Sequence, residues 1–248
     1  TPSYTKSVSW QHHRGVRVLD LTRVLAGPYC GMMLADFGAD VIKIELPGKG
    51  DDSRANAPQI NGESAYFMNL NRNKRGMTLN LKSEEGRQIF LDLVRDSDVV
   101  LENYRPGVME KLGLGYEDLR KVNPAIIYGA VSGFGHTGPY SKRAGYDIIG
   151  QAMSGLMSTT GWPGGQPTRT GTAISDVKSV LSWAHCYVAT AAYPHRDRYC
   201  GCGRGNELRN WRACRLRQPP ENRRRRKSGY CAGRFDGVVA GNYQHYLP

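Results

Sequence analysis

Short strands and helices alternate along residues 16–131, and this order limits the 248-residue chain to few folds. Strand–helix–strand units of about 30 residues join parallel strands by right-handed crossovers. The order therefore predicts an α/β fold, an open parallel sheet with helices on both faces. Runs rich in β-branched and apolar residues predict strands at 16–21, 40–45, 77–81, 98–102 and 125–131. Apolar spacing and cap residues predict helices at 29–37, from 83, at 108–112 and at 116–121.

Ligands of such sheets bind beyond the carboxyl ends of the strands. No G-x-G-x-x-G follows the first strand, and no P-loop lysine motif occurs, so a dinucleotide or a nucleoside triphosphate is not supported. The helix from Ser83 is predicted to bury Ile89, Phe90, Leu93 and Val94. The segments after the strand ends are rich in Gly, Pro and polar residues, and they are 22–28, 46–54, 103–107 and 132–135.

Basic residues cluster at two of these places. Arg72, Lys74 and Arg75 precede the third strand, and Arg105 and Lys111 follow the fourth. Either cluster by itself is typical of a solvated turn, and either can contact phosphate. Two basic clusters at neighbouring loops favour an anionic ligand.

The net charge of +12 is concentrated near the C-terminus. From His195 onward the chain has 13 Lys+Arg against 4 Asp+Glu, so this segment carries +9 and the first 194 residues carry +3. An ordinary body with a basic tail does not indicate a nucleic-acid partner. We therefore divide the chain into a domain at 14–194 and a basic, Cys- and Arg-rich tail at 195–248.

Cysteine usage and hydropathy bear on metal binding and compartment. Cys200 and Cys202 form a C-x-C with no second pair at zinc spacing, so no metal site is predicted. Only Cys30 precedes residue 185, which is typical of a reducing compartment. No apolar run of about 18 residues and no signal-peptide apolar region occur. We expect a cytoplasmic protein (of the mitochondrial matrix in a eukaryote) with no membrane partner.

Asp176 follows a run of small residues and precedes the apolar-spaced segment that starts at Val177. Locally, an Asp in front of a helix is most often an N-cap. The same position also suits a carboxylate nucleophile, because backbone N–H groups at a helix start can stabilise an oxyanion. The local sequence leaves both interpretations open.

Five motifs that occur in order along the chain favour the interpretation of Asp176 as a nucleophile over that as an N-cap. The chain resembles the family III CoA-transferases, the formyl-CoA and carnitine CoA-transferase group, over residues 14 to about 185. It is most similar to the branch that moves CoA between dicarboxylic acids such as succinate and glutarate. The motifs are Val18–Pro28, Gly38–Glu45, Asn71–Arg75, Glu102–Gly107 and Ser132–Pro139.

The resemblance implies a fold, a substrate and site residues. The fold would be the Rossmann-like large domain of an interlocked-ring homodimer, with the site at the dimer interface. The substrates would be an acyl-CoA and a carboxylic acid acceptor, with no tightly bound cofactor. Asp176 would be the nucleophile, forming a mixed anhydride and then an aspartyl-CoA thioester. Arg169 would contact the far end of a dicarboxylate or pair with Asp176. The CoA contacts would be Leu25, Ala26, Leu79, Asn80, Leu81, Lys82, Asn103, Tyr104, Arg105, Lys111, Tyr146 and Asp147.

Two alternatives to CoA transfer remain. Acyl-CoA racemases of the same fold use a His in a Gly-His-Asp tripeptide. Here the tripeptide is Gly145-Tyr146-Asp147, and a Tyr with a pKa near 10 is a poor base at neutral pH. We interpret His136 as a loop residue. A non-catalytic protein that binds polyanions through its basic tail is the second alternative.

The resemblance weakens after about residue 185. Residues 200–234 are rich in Arg, Gly, Cys and Pro and lack a sustained period. We favour an out-of-frame segment, over a divergent tail that binds polyanions or a cysteine-rich metal site. Members of the family continue into a small domain that this sequence lacks, so the fold is expected to be incomplete at the C-terminus. We do not expect full activity from the chain alone.

Overall fold

The structure is a computed structural model that describes residues 15–136 and 139–177, together with the backbone of residues 234–238. Its centre is a six-stranded sheet in which every pair of neighbours is parallel, in the order β5-β2-β1-β6-β7-β8. The predicted parallel α/β sheet is confirmed. The strands are β1 (Arg17–Asp20), β2 (Asp40–Glu45), β5 (Arg75–Thr78), β6 (Val99–Glu102), β7 (Ile127–Ser132) and β8 (Arg234–Val238), and β3 (Gln59–Ile60) and β4 (Glu63–Ser64) form a separate hairpin.

The strand order reverses between β1 and β6. From β1 the chain proceeds outward through β2 and β5, and from β6 it proceeds the other way through β7 and β8. Loops that leave β1 and β6 therefore diverge and open a crevice at this switch point, where open α/β sheets bind ligands. The helices are α1 (Ala26–Asp36), α2 (Ala65–Leu70), α3 (Glu84–Arg95), α4 (Val108–Lys111), α5 (Tyr116–Val122) and α6 (Asp147–Met153), with 3-10 turns at Asp52–Ala55 and Leu156–Thr159.

Both faces of the sheet are covered. On one face α1 packs Cys30 and Leu34 onto Val18 and Val41. On the other face, Phe90 and Val94 of α3 pack in one cluster with Leu19 and Ile42 of the sheet. The central strand β6 is buried along its whole length, as expected of a strand with helices on both sides.

Two predicted helices differ in detail from the structure. α1 begins at Ala26, three residues before its predicted start, because the first turn tolerates Pro28, whose missing N–H would have no partner there. α3 has its predicted cap, with Ser83 Oγ accepting the Gly86 N–H at 3.1 Å. The prediction that Ile89 is buried is wrong, since it is 46% exposed while Phe90 and Val94 are fully buried.

The third predicted strand, at 77–81, is displaced. β5 pairs Arg75–Thr78 with β2, and the chain then leaves the sheet edge. Leu79 and Leu81 are buried in the core cluster that contains Phe90. Their alternation reflects burial beside the sheet and not a place in its ladder.

Helix α6 was not predicted, because its pattern is reversed. It buries Gly150 and Gln151 and exposes Ile148, Ile149 and Met153. Apolar periodicity finds helices whose apolar side faces the core, and here the core-facing side is small and polar.

Most of the tail lies outside the described residues. The backbone of β8 extends the sheet by pairing Tyr128 with Arg234 and Ser132 with Val238. The domain boundary at residue 194 stays a prediction, as do the three interpretations of the tail. Over the described residues, no helix has the length and apolar character needed to cross a membrane.

Candidate active site

A side-chain clamp, formed by Asn103 on the backbone of Arg23, joins the two loops that border the crevice at the switch point. Asn103, after β6, accepts the Arg23 N–H at 2.9 Å through Oδ1 and donates through Nδ2 to the Arg23 carbonyl at 2.7 Å. The Arg23 guanidinium lies 5.1 Å from the centre of the Tyr104 ring. Val24 has φ 69°, a rare conformation for a β-branched residue, and its N–H donates to Asp51. The predicted contacts Asn103 and Tyr104 thus organise the loop that leads into α1.

A cavity opens beside this clamp at the carboxyl ends of β1, β2 and β6. Arg23 and Lys49 bring positive charge to its rim, and both pair with Asp52, at 3.6 Å and 2.8 Å. The sequence prediction did not include these two basic residues, although both lie in loops that it selected. The cavity is lined by Leu21, Thr22, Arg23, Lys43, Ile44, Glu45, Leu46, Lys49, Gly50, Asp51 and Tyr104.

Two buried ion pairs support the floor of this edge. Lys74 Nζ lies 2.8 Å from Asp20 Oδ2, and Lys43 Nζ lies 2.8 Å from Asp51 Oδ2. Lys43 also donates to the Thr22 carbonyl at 2.6 Å. Burial alone would raise the pKa of Asp20, but Lys74 and Lys43 outweigh it and hold that pKa below its ordinary value. In both of these pairs, a buried lysine compensates the charge of the buried acid.

The three residues of the predicted basic cluster before β5 each form an ion pair with a different acid. Arg72 pairs with Asp36 at 2.5 Å, and Arg75 pairs with Asp40 at 2.7 Å. Lys74 is buried in its pair with Asp20, with a side chain that is 1% exposed. A phosphate contact by these three residues stays a prediction, and it would compete with existing ion pairs.

The remaining predicted CoA contacts differ in exposure. Leu79 and Leu81 turn their side chains into the core, so a contact of these residues with CoA would have to be made by their backbone. Leu25 and Ala26 form the start of α1 and are partly exposed. Asn80 accepts the Lys82 N–H within the loop between β5 and α3. The exposed polar members are Asn80, Lys82, Arg105, Lys111 and Tyr146. Arg169, predicted as a contact of the acceptor acid, is exposed as well.

Asp176 lies in the first turn of a helical segment, of which residues 174–177 are described. It is therefore not the N-cap that its local sequence allowed. The acceptor at this helix start is Asp147, whose Oδ1 accepts the N–H of Ser175 at 2.9 Å and of Asp176 at 3.4 Å. Predicted as a CoA contact, Asp147 has a further role in holding the segment that carries Asp176.

The surroundings of Asp176 alter its acidity. Burial raises the pKa of Asp176 to about 6, and the charge of Asp147 adds to the effect. Tyr66 of α2 is a neighbour that sequence reasoning missed. Its pKa is raised by burial and then by the charges of Asp176 and Asp51, so Tyr66 is close enough to both carboxylates for their charges to act on it. A carboxylate of this kind is ionised at neutral pH and is a better base and nucleophile than an ordinary Asp.

Other reactive side chains are engaged within the fold. His136 is in a loop, as predicted, but its side chain is buried 3.6 Å from Glu102. Burial raises the pKa of the Cys30 thiol far above its usual range, so Cys30 is not a nucleophile at neutral pH. Among residues that the structure describes, no group of three or more His, Cys, Asp and Glu is arranged to hold a metal ion.

Comparison with known proteins gives a consistent result. The family model for CoA-transferase family III matches residues 14–209. Succinyl-CoA:glutarate CoA-transferase of Mus musculus is 52% identical over 168 residues, 67% of this chain and 38% of the relative. Acetyl-CoA:oxalate CoA-transferase of Acetobacter aceti is 51% identical over 180 residues, 72% of this chain and 46% of the relative.

Solved structures agree with these relatives. A CAIB/BAIF family protein from Brucella suis superposes with a TM-score of 0.67 at 44% identity, covering 72% of this chain and 48% of that one. The protein Rv3272 from Mycobacterium tuberculosis superposes with a TM-score of 0.67 at 38% identity, covering 75% and 51%. The chain thus spans about half the length of these relatives or less. On the family match and the identities together, the chain belongs to CoA-transferase family III.

Proposed function

We propose that this chain supplies the CoA-binding and nucleophilic part of an enzyme that transfers CoA from an acyl-CoA to a carboxylic acid, with Asp176 as the nucleophile. The observation that carries the proposal is the position of Asp176 in the first turn of a helix with its pKa raised to about 6. Family membership gives that carboxylate a substrate class.

The reaction would proceed by acyl exchange on Asp176. A carboxylate oxygen of Asp176 attacks the thioester carbon, the C–S bond breaks, and the CoA thiolate leaves a mixed anhydride. The thiolate attacks the aspartyl carbonyl, releases the donor acid and forms an aspartyl-CoA thioester. The acceptor carboxylate attacks that carbonyl and expels thiolate, which then attacks the acceptor's acyl carbon and frees Asp176. No net proton is taken up or released.

Charge and backbone would assist these steps. Each attack develops an oxyanion, and one good N–H donor stabilises such a charge by about 3–4 kcal/mol. The anhydride must also be kept from water, because hydrolysis would waste the thioester. Asp176 is half-buried, which supports this requirement.

The CoA moiety would lie along the carboxyl edge of the sheet. Arg23 and Lys49 at the cavity rim, with Arg105 and Lys111 nearby in sequence to the clamp, offer cations for its phosphates. Asn103 is already bound to the Arg23 backbone, so its contribution would be to shape the loop.

The acceptor we propose is a dicarboxylic acid. Relatives about 50% identical are named for succinate and glutarate, in Mus musculus and in Agrobacterium fabrum. Exposed Arg169 would pair with the far carboxylate of such an acid. The interlocked homodimer, the absence of a tightly bound cofactor and the cytoplasmic or matrix location belong to this proposal as well.

The test is exchange of labelled glutarate into acyl-CoA by the chain given succinyl-CoA. Asp176→Ala is expected to abolish exchange and to leave CoA binding within about twofold, because it removes the nucleophile only. Asp118→Ala, at a surface pair with Lys121, is the matched control. Exchange that survives in Asp176→Ala removes Asp176 from the role, and no exchange with any of a panel of acyl-CoAs counts against transfer.

The racemase alternative is weaker in the structure. Tyr146 occupies the middle of the Gly145-Tyr146-Asp147 tripeptide and is 67% exposed. A racemase would exchange the α-proton of a 2-methylacyl-CoA with deuterium from solvent, and we expect no such exchange. The polyanion-binding alternative predicts binding with a steep salt dependence that is lost on removing residues 200–248.

A further inference from the structure

We infer that Gln151 is a positioning residue for Asp176, which it orients through Asp147 and through the segment before Asp176. The inference rests on the proposed function for its catalytic meaning, and on side-chain geometry for its structural content. Neither the resemblance nor the sequence pattern pointed to Gln151.

Gln151 uses both ends of its amide. Its Nε2 donates to Asp147 Oδ2 at 2.6 Å and to the Thr172 carbonyl at 3.3 Å, and its Oε1 accepts the Thr170 N–H at 2.9 Å. A donor therefore faces two acceptors and an acceptor faces a donor. The amide can occupy this place in one orientation only.

Gln151 and Asp147 together bind the segment 170–176, which carries Asp176, at two places. Gln151 holds Thr170 and Thr172, on either side of Gly171. Asp147 holds the N–H groups of Ser175 and Asp176. Both gripping residues lie on the short helix α6, four residues apart, so they face the same side. Through these hydrogen bonds, α6 fixes the position of segment 170–176 relative to the helix.

Burial makes this arrangement hard to replace. Gln151 is 1% exposed, and a buried amide left without hydrogen-bond partners destabilises the fold. In the same helix α6, Ile148, Ile149 and Met153 are exposed while Gln151 is buried. A buried amide that bonds to this segment and to Asp147, which also holds it, fits a role in orienting the segment.

The same arrangement sets the charge that Asp176 meets. In the described part of the chain, the titratable groups that act on Asp176 include Asp147 from α6 and Tyr66 from α2. By donating to Asp147, Gln151 fixes the place of the carboxylate whose charge acts on Asp176. Loss of the donor would change both the position and the titration of Asp176.

The experiment uses the 248-residue chain and needs no substrate. Amide proton shifts of Ser175 are followed against pH by NMR, because a proton donated to a carboxylate shifts upfield when the carboxylate is protonated. The carboxyl carbon of Asp176 is followed in the same samples. In the unaltered chain at neutral pH, the Ser175 amide and the Gln151 side-chain amide should both lie downfield, since both donate to the carboxylate of Asp147. The absence of that downfield position from either amide would overturn the inference without any variant.

Two variants and a control complete the test. Gln151→Met should lose the downfield Ser175 shift at every pH and displace the Asp176 titration. Gln151→Glu should restore the Ser175 shift only below the pKa of the introduced carboxyl, which must be protonated to donate. Gln88→Met removes a similar Gln–Asp bond on the surface of α3, and it should change neither signal. A Ser175 shift that persists in Gln151→Met, or a Gln151→Glu profile like that of the unaltered chain, overturns the inference.

Activity separates this inference from the proposed function. If Asp176 of the unaltered chain takes up no acyl group, the proposed function fails while the amide shifts still report on Gln151. If exchange occurs, Gln151→Met should lower kcat about 100-fold with KM for acyl-CoA unchanged, as expected for a misplaced nucleophile. A raised KM with kcat unchanged would indicate a binding role and overturn the inference.

Discussion

Asp20, the last residue of β1, and Asp176, in the first turn of a helical segment, are both withdrawn from solvent, but charges of opposite sign face them. Asp20 is fully buried against Lys74, which lowers its pKa below the ordinary value. Asp176 is half-buried and faces the carboxylate of Asp147, and its pKa is raised to about 6. The partner therefore decides whether a withdrawn acid is a permanent anion that supports the fold or a carboxylate with raised basicity.

The difference shows how the fold separates stability from chemistry. The two acids that pair with lysines are Asp20, at the end of β1, and Asp51, in the loop after β2. Both pairs are buried and support the carboxyl edge of the sheet. Asp147 lies on α6 and faces Asp176, and its partner on that helix is the neutral amide of Gln151 and not a lysine. A neutral partner satisfies the carboxylate of Asp147 without neutralising its charge.

Removing the lysine should have the largest effect. Lys74→Met leaves Asp20 buried beside one lysine fewer, and we expect a loss of about 3 kcal/mol in the free energy of unfolding, as for a broken buried pair. Urea unfolding at pH 7 measures it. Arg75→Met, which breaks the exposed pair with Asp40, is the control and should cost under about 1 kcal/mol. Equal losses in the two variants would contradict the contrast.

A glycine contact couples α6 to the sheet, and it offers a way to disturb only the Asp176 side. A Cβ on Gly145 would lie 2.1 Å from the Gly133 Cα, in the loop after β7. Gly145→Ala should therefore push α6 away and cost about 1–3 kcal/mol by overpacking. Transfer activity should fall as well, because Asp147 moves with the helix.

The control for this change is Gly76→Ala in β5, where an added Cβ meets nothing within 4 Å. Its stability and activity should stay close to those of the unaltered chain, as measured by urea unfolding and by exchange. If Gly145→Ala behaves like Gly76→Ala, the loop after β7 does not position α6.

The smallest effect concerns the charge of Asp176. Its folded pKa of about 6 lies above its ordinary value of 3.8, so ionisation of Asp176 costs the folded state stability as pH rises from about 4 to about 6. Asp176→Asn avoids this cost. Its melting temperature should match the unaltered chain below pH 4 and exceed it above pH 6, by a difference worth about 1 kcal/mol after solvent screening.

Thermal unfolding across this pH range measures the difference. Asp20→Asn is the opposite case, because the low pKa of Asp20 contributes stability that is present above the ordinary pKa and lost as pH falls below it. Its melting temperature should be lower than that of the unaltered chain at pH 7. A melting temperature for Asp176→Asn below that of the unaltered chain at pH 7 would show that Asp176 is a stabilising acid after all.

The sheet was predictable from the sequence, because strands buried on both faces consist of β-branched and apolar runs that are recognisable locally. Residues 40–45 became β2 as predicted. The prediction failed where local pattern and tertiary role diverge. Leu79 and Leu81 alternate like a strand but fill the core beside it, and α6 has its apolar residues outside.

The candidate site was predicted only in part. The family motifs led to Asp176 and to Asn103, but the sequence could not show that Asn103 binds the Arg23 backbone across 80 residues. Nor could it show that Lys74 is buried on Asp20. The i, i+4 spacing of Asp147 and Gln151 is compatible with a bond between them on a helix, but α6 was not predicted and nothing local links that pair to Ser175 and Asp176.

The most direct test of the central claim is the chemical fate of Asp176 during turnover. The chain is incubated with succinyl-CoA, treated with hydroxylamine and digested. The mass of the peptide that contains Asp176 is then measured by mass spectrometry. Because hydroxylamine cleaves an aspartyl-CoA thioester, the account predicts a hydroxamate on Asp176 that depends on acyl-CoA and is absent from Asp176→Ala. A hydroxamate on another carboxylate, with Asp176 unmodified while transfer proceeds, would contradict it.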